Sequence, residues 1–193
     1  MGSAFRTLSP TALSHFDTIP WCAALISSPN YHPTSLPSPP EPGRDSFFTT
    51  TLRGPETIRA VYPLHTRPDP SLAVPIRETR ILLAVGNQLN GHTHTAHGGF
   101  SAAVLDEAMG AWMTINREWN ERRGRESVPK IGMTLTMTTT YLRPVLTPGV
   151  VLVTVRCEKV EGRKWWLSST LEDGSGAVLV KAEGLFINPR ALI

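Results

Sequence analysis

Cysteine is nearly missing from this chain. Cys22 and Cys157 are its only two, far apart and in no ligand spacing. A disulfide framework is therefore excluded as an organising principle, a zinc site built on paired cysteines goes with it, and a reducing compartment is favoured. Long apolar runs are missing too, and none approaches the roughly 20 residues of a membrane-spanning helix. No basic stretch concentrates the mild net charge of +3, so nucleic acid is not the expected partner. The first twenty residues hold no apolar run of the kind a secretory leader needs. Met1-Gly2 is followed by Arg6 where a myristoylation signal wants Ser or Thr. Neither a leader nor a lipid anchor is expected. The cytoplasm is the expected compartment, with the mitochondrion left open, since Arg6 alone is too little basic charge for a transit peptide.

What is present suits one folded domain with an extension. The chain has 193 residues, 40% hydrophobic and 18% charged, enough apolar side chains for a core. Six prolines fall between residues 29 and 42. At that density neither a helix nor a central strand survives, so this stretch is expected to be a surface strap. Residues 1–75 are read as an N-terminal extension carrying that strap, and 76–193 as the main domain. Within the extension, Ile19 to Ser27 predicts a helical turn that docks on the body. Phe47 to Arg53 and Thr57 to Leu64 predict strands or extended edge segments.

The second half predicts a strand over Glu78 to Val85, a polar loop from Gly86 to His97, and a long proline-free helix from Gly98 to about Trp119. Strand-like runs follow at 131–143, 150–160, 164–173 and 177–187. Their connectors are short and rich in turn residues, such as Thr147-Pro148-Gly149 and Asp173-Gly174-Ser175-Gly176. Such connectors imply antiparallel hairpins. One helix among consecutive antiparallel strands is an α+β architecture.

Two adjacent carboxylates lie on the long helix. Glu107 shares a polar stripe with Thr114, Glu118 and Glu121, and reads as a solvated or rim residue. Asp106 shares its side with Ala102, Gly110 and Met113, which are small or apolar. A carboxylate near an apolar interior is costly unless it is paired, solvated in a pocket or functional. Small neighbours favour a ligand crevice over a locally satisfied Asp. Gly98-Gly99 opens the same helix, where unused backbone N–H groups and the positive end of the helix dipole suit an oxyanion. A donor site and a base or nucleophile thus share one rigid element.

The run His97-Gly98-Gly99-Phe100-Ser101-Ala102-Ala103-Val104-Leu105-Asp106 resembles the signature of hotdog-fold acyl-CoA thioesterases. The phenylacetate-pathway and thioesterase-superfamily-member types, fungal relatives included, are the most similar. Met133 to Pro144, closing on Tyr141-Leu142-Arg143-Pro144, is similar to that family's strand after the helix, and the resemblance covers about residues 78 to 188. It implies a long helix wrapped by an antiparallel sheet, and a homodimer or dimer of dimers with active sites at the subunit interface. It also implies an acyl-CoA or carrier-bound acyl thioester as substrate, without cofactor or metal, in fatty acid or polyketide metabolism. Asp106 is then the nucleophile or the base for water, and the Gly98 N–H polarises the carbonyl. Thr134 assists from the partner subunit, and His97 hydrogen-bonds near the carbonyl. Gly99, Met109 and Arg143 are the expected substrate contacts, Arg143 facing the phosphates of CoA. Family members often carry Asn six positions before the His. Here that position is Gly91, and Asn90 stands one step earlier as the candidate for the role.

Two rival readings compete. His92, His94 and His97 have the spacing of a zinc constellation, but Ala96 stands where a metallo-β-lactamase motif requires an acidic residue, and the later ligands of that motif are missing. Cys22 as nucleophile has no base near it in sequence, and a buried inert thiol is the simpler account. The alternatives to hydrolysis are a non-hydrolytic hotdog acyl-binding protein and another acyl-thioester enzyme of dehydratase type.

Overall fold

The computed structural model describes residues 10–34, 46–125 and 132–188. In chain order its elements are α1 (Pro10–Asp17), α2 (Pro20–Ile26), β1 (Tyr31–Pro33), β2 (Ile58–Thr66), β3 (Glu78–Val85), β4 (Asn90–His92), β5 (Thr95–Ala96), α3 (Gly98–Glu121), β6 (Met133–Tyr141), β7 (Gly149–Glu161), β8 (Lys164–Glu172) and β9 (Val178–Ile187). Seven strands form one antiparallel sheet in the order β1-β2-β3-β7-β8-β9-β6, and β4 with β5 makes a small separate hairpin. One long helix on an antiparallel sheet is the α+β architecture that the sequence implies. Among the described residues, no helix is long and apolar enough to cross a membrane.

The inner face of the sheet packs on α3. Val104, Leu105, Ala108, Met109, Trp112 and Met113 are buried there against Ile81, Leu83, Val153, Trp165, Leu167 and Phe186. Trp112 and Trp165 meet edge to face at 5.9 Å, the arrangement aromatic quadrupoles favour. The helix stops where Gly124 turns to φ +65°, a conformation cheap only for glycine, and the Arg125 N–H returns to the Asn120 carbonyl.

The outer face of β2, β3 and β7 is covered by the N-terminal helices. Phe16 and Cys22 lie on Tyr62, Leu64, Leu82 and Leu152. Because both faces of β3 are buried, its run Ile81-Leu82-Leu83-Ala84-Val85 is apolar throughout rather than alternating. The expected docking of residues 19–27 is thus seen as α2, joined by α1, for which the sequence reading had no signal.

Three expectations change. Phe47–Thr51 is a single π-helical turn, not a strand, because Phe48 turns into the core and the Leu52 N–H reaches back to the Phe47 carbonyl at 2.8 Å. The sheet begins upstream of residue 76, since β2 pairs with β3 along its length and β1 adds an edge beyond it. Residues 31–33 of the expected strap are that edge, and residues 35–42 lie outside the described residues. Finally, β6 does not form a hairpin with β7. It pairs with β9 at the far edge, and residues 142–148 cross the ends of β8 and β9 to reach β7. The crossing is held by bonds a hairpin turn does not make: Leu142 and Arg143 donate to the Leu179 carbonyl, Ala96 donates to Val145, and Thr147 donates to His94.

Asn116, fully buried on α3, ties the strand-leading segment to the helix. Its Oδ1 accepts the Ile76 N–H at 2.9 Å, and its Nδ2 donates to the Ile76 carbonyl at 3.0 Å and to Trp112 at 3.2 Å. Asn116→Ala strands both Ile76 groups in the interior. A stability loss of about 1–3 kcal/mol is expected in urea unfolding, and an unchanged midpoint would contradict this role.

Candidate functional site

At the start of α3 the backbone enters the helix from an extended His97, at φ −61° and ψ 136°, whose ring acts as the cap. His97 Nδ1 accepts the Gly99 N–H at 2.9 Å. That bond places the ring proton on Nε2, so the ring offers a donor outward. It also occupies the Gly99 N–H, which removes that amide from substrate contact. The Gly98 N–H donates to no acceptor among the described residues, and it sits where the helix dipole is positive. Of the two glycines, Gly98 keeps the free donor.

The loop before the helix shows why residue 91 is glycine. A Cβ there would stand 2.9 Å from His97 Cα and 3.0 Å from its ring. Asn fits only one step earlier, where Asn90 Oδ1 accepts from the Thr147 hydroxyl of the crossing segment. Asn90 thus lies at the base of the β4–β5 hairpin, paired with Ala96 next to the capping His97.

Asp106 is half-buried on α3, and Thr134 Oγ1 of β6 donates to its Oδ1 at 2.7 Å. This corrects the expectation that Thr134 acts from a partner subunit: the hydroxyl reaches the carboxylate of its own chain. One carboxylate oxygen is oriented and the other remains for a proton transfer. The neighbouring Gly110 meets nothing within 4 Å of its Cβ position, so the Ala102–Asp106–Gly110 side of the helix is an open, shallow strip. Glu107 is half-buried as well, and Thr114, placed on its polar stripe by spacing, is buried at 6% exposure. Met109 does not touch this surface. It is fully buried, its sulfur 2.7 Å from where a Cβ on Gly184 would stand, so it belongs to the core and not to a substrate contact.

Gly98 and Asp106 are eight residues apart, about 12 Å along a helix axis. A single carbonyl does not reach from the free N–H of one to the carboxylate of the other within one chain. They share an element, as the sequence suggests, but not a site on it.

Tyr141 closes β6 against the helix start, its hydroxyl donating to the Gly98 carbonyl at 3.1 Å. Beyond it, an open cleft of about 320 Å³ lies between the first turn of α3 and the crossing segment, and Arg143 lines it together with Gly98. The histidine cluster does not converge. Among the described residues no three His, Cys, Asp or Glu side chains stand in a metal-holding group, and His97 Nδ1 is already engaged. Burial pushes the Cys22 thiol up to about 12 and the Cys157 thiol to about 11, which leaves neither as a ready nucleophile at neutral pH. What sequence reasoning missed is the crossing segment 142–148. It carries Thr147 and four of the ten residues that line the cleft. Arg143 stood out in the sequence, but the path of the segment did not, because Thr147-Pro148-Gly149 read as a hairpin turn.

A sequence model of the thioesterase superfamily matches residues 93–180. That segment belongs to the thioesterase superfamily. It takes in the capping His97, all of α3, and the strands from β6 into β9. An uncharacterized protein of Schizosaccharomyces pombe is 32% identical over 110 residues, 55% of this chain and 57% of that protein, so the match spans little more than half of the relative's length. A crystal structure of a thioesterase superfamily protein is 25% identical, with a TM-score of 0.51 over 66% of this chain and 53% of that one. The PaaI protein from the phenylacetic acid degradation operon of E. coli is 12% identical, with a TM-score of 0.50 over 58% of this chain and 73% of its own. The long helix on an antiparallel sheet is the hotdog fold of these thioesterase-superfamily structures. Strands β1 to β3 of the same sheet lie upstream of the matched segment.

Proposed function

We propose that this protein hydrolyses acyl thioesters, on coenzyme A or a carrier protein, in sites built from two copies of the chain. The observation that carries the reading is the Thr134–Asp106 hydrogen bond facing an open helix strip, set against a free Gly98 N–H too distant to serve the same carbonyl. A second copy, related by a two-fold axis, supplies Gly98 to one chain's Asp106 and takes the same in return. The surface that favours such pairing is the edge strand β6. Met133, Leu135 and Tyr141 are each half or more exposed on it, and Leu142 and Leu146 continue the apolar edge. An uncovered apolar edge is a liability that a partner removes.

The chemistry follows from the groups. Asp106, with Oδ1 fixed by Thr134, takes a proton from water through its other oxygen. The water oxygen attacks the thioester carbon, and the developing oxyanion is held by the Gly98 N–H, with His97 Nε2–H as the second donor at the same helix end. Collapse breaks the C–S bond, and the leaving thiolate recovers the proton. Direct attack by Asp106, through an anhydride, uses the same donors. No step needs a metal or an organic cofactor. The test is release of free thiol from a panel of acyl-CoAs by the purified protein. Turnover that survives chelator supports the reading, and no release from any thioester would overturn it.

A further inference from the structure

The cleft beside Gly98 has the chemistry of an anion site with apolar walls. Ser101, on the first turn of α3, is 1% exposed and lines the cleft, where its hydroxyl is a second polar group beside Arg143. Arg143 lines the same cleft, and while its backbone N–H is bound to the Leu179 carbonyl, its guanidinium makes no hydrogen bond or ion pair with a described residue. Its charge is felt by Asp173, whose carboxyl is held below the usual range chiefly by the Ser175 hydroxyl. No acidic side chain is among the described residues lining the cleft, and Val145 and Val180 form its apolar wall. The positive end of α3 adds to the field of Arg143.

We infer that this cleft receives the acyl group of the substrate, and that the acyl group ends in a carboxylate bound by Arg143 and Ser101. The inference rests on the thioesterase reading above. An anion near Arg143 has two sources, the acyl chain or the phosphates of coenzyme A. A sphere of the cleft's volume is only about 8–9 Å across. The pantetheine arm has the length of about four extended residues, roughly 14 Å. With the carbonyl at Gly98, the diphosphate lies well outside the cleft, so the acyl chain is the source. At about 1.3 Å of advance per carbon–carbon bond, the cleft spans roughly six to seven bonds, so an acyl chain of up to about six carbons, its terminal carboxylate included, fits inside it. The substrate class is the monothioester of a short dicarboxylic acid. A guanidinium suits it, since it donates two parallel hydrogen bonds to one carboxylate.

The experiment compares glutaryl and hexanoyl thioesters, each on coenzyme A and on N-acetylcysteamine, with the intact protein and with Arg143→Gln. The variant is expected to lower kcat/KM for both glutaryl thioesters about 30-fold, and for the hexanoyl thioesters less than about threefold. Ser101→Ala follows the same pattern with a smaller loss. Equal losses on both acyl groups with coenzyme A, and none on N-acetylcysteamine, would overturn the inference in favour of phosphate binding. Equal losses on all four would assign Arg143 a structural role. If no thioester is cleaved, the hydrolase reading has failed, and calorimetric binding of free glutarate decides the cleft alone. Glutarate bound by the intact protein and lost in Arg143→Gln, with the uncharged hexanamide bound by neither, supports it. No glutarate binding overturns it.

Discussion

Asp106→Asn is expected to keep the fold and lose thioester turnover at least about a hundredfold, as befits removal of a general base or nucleophile. The exchange is nearly isosteric. Asn offers a carbonyl oxygen where Oδ1 stood, so the hydrogen bond donated by Thr134 at 2.7 Å survives, and the strip beside Gly110 has no close packing to disturb. What disappears is the charge and the ability to take a proton or form an acyl bond. Glu107→Gln is the control one residue along, off the strip that faces Thr134, and should lose far less. Parallel steady-state kinetics of the two variants check the assignment, with thermal unfolding as the measure of fold. Equal losses would contradict the choice of carboxylate.

The second large effect comes from a single backbone hydrogen. Gly98→Pro deletes the amide proposed to hold the oxyanion and leaves the helix otherwise able to form. Proline is favoured at the first position of a helix, where its missing N–H has no intrahelical partner. His97 already has the extended ψ of 136° that a following proline requires. Gly98→Ala is the matched control. It keeps the N–H while placing a Cβ 3.3 Å from the Tyr141 ring, the same crowding that proline brings. A drop in kcat of about 10² to 10³ is expected for the proline variant, the usual cost of one oxyanion donor. The alanine variant should fall much less. If alanine and proline are equally impaired, crowding against Tyr141 is the cause and the amide is not the donor.

Much of the architecture was legible because it rests on local chemistry. The proline-free run gave α3 to within two residues of its end, and the apolar run at 81–85 gave β3. Glycine-rich connectors gave the β7–β8 and β8–β9 hairpins. The β6–β7 connection misled because Thr147-Pro148-Gly149 is a turn in composition, whereas its path is fixed by bonds to residues 94, 96 and 179 that no local pattern contains. The site divides the same way. Asp106 and Gly98 stood out as a carboxylate among small residues and a glycine pair at a helix start. The intrachain reach of Thr134 and the burial of Met109 depend on tertiary packing. The eight-residue separation of Gly98 from Asp106 and the capture of the Gly99 amide by His97 are instead local helix geometry that the sequence reading did not draw out. Gly91 in place of Asn became intelligible only with the His97 ring set against it.

The central claim is that a working site takes Gly98 from one copy and Asp106 from the other. Mixing Gly98→Pro and Asp106→Asn proteins, with subunit exchange, tests it in one measurement. Each mixed dimer would then hold one site carrying both lesions and one carrying neither. With random exchange, half the dimers are mixed, so thiol release should recover to about a quarter of the unmutated rate. If Gly98 and Asp106 of the same chain served one site, every site in the mixture would carry a lesion. The rate would then stay at the level of the two separate variants, which would contradict the account.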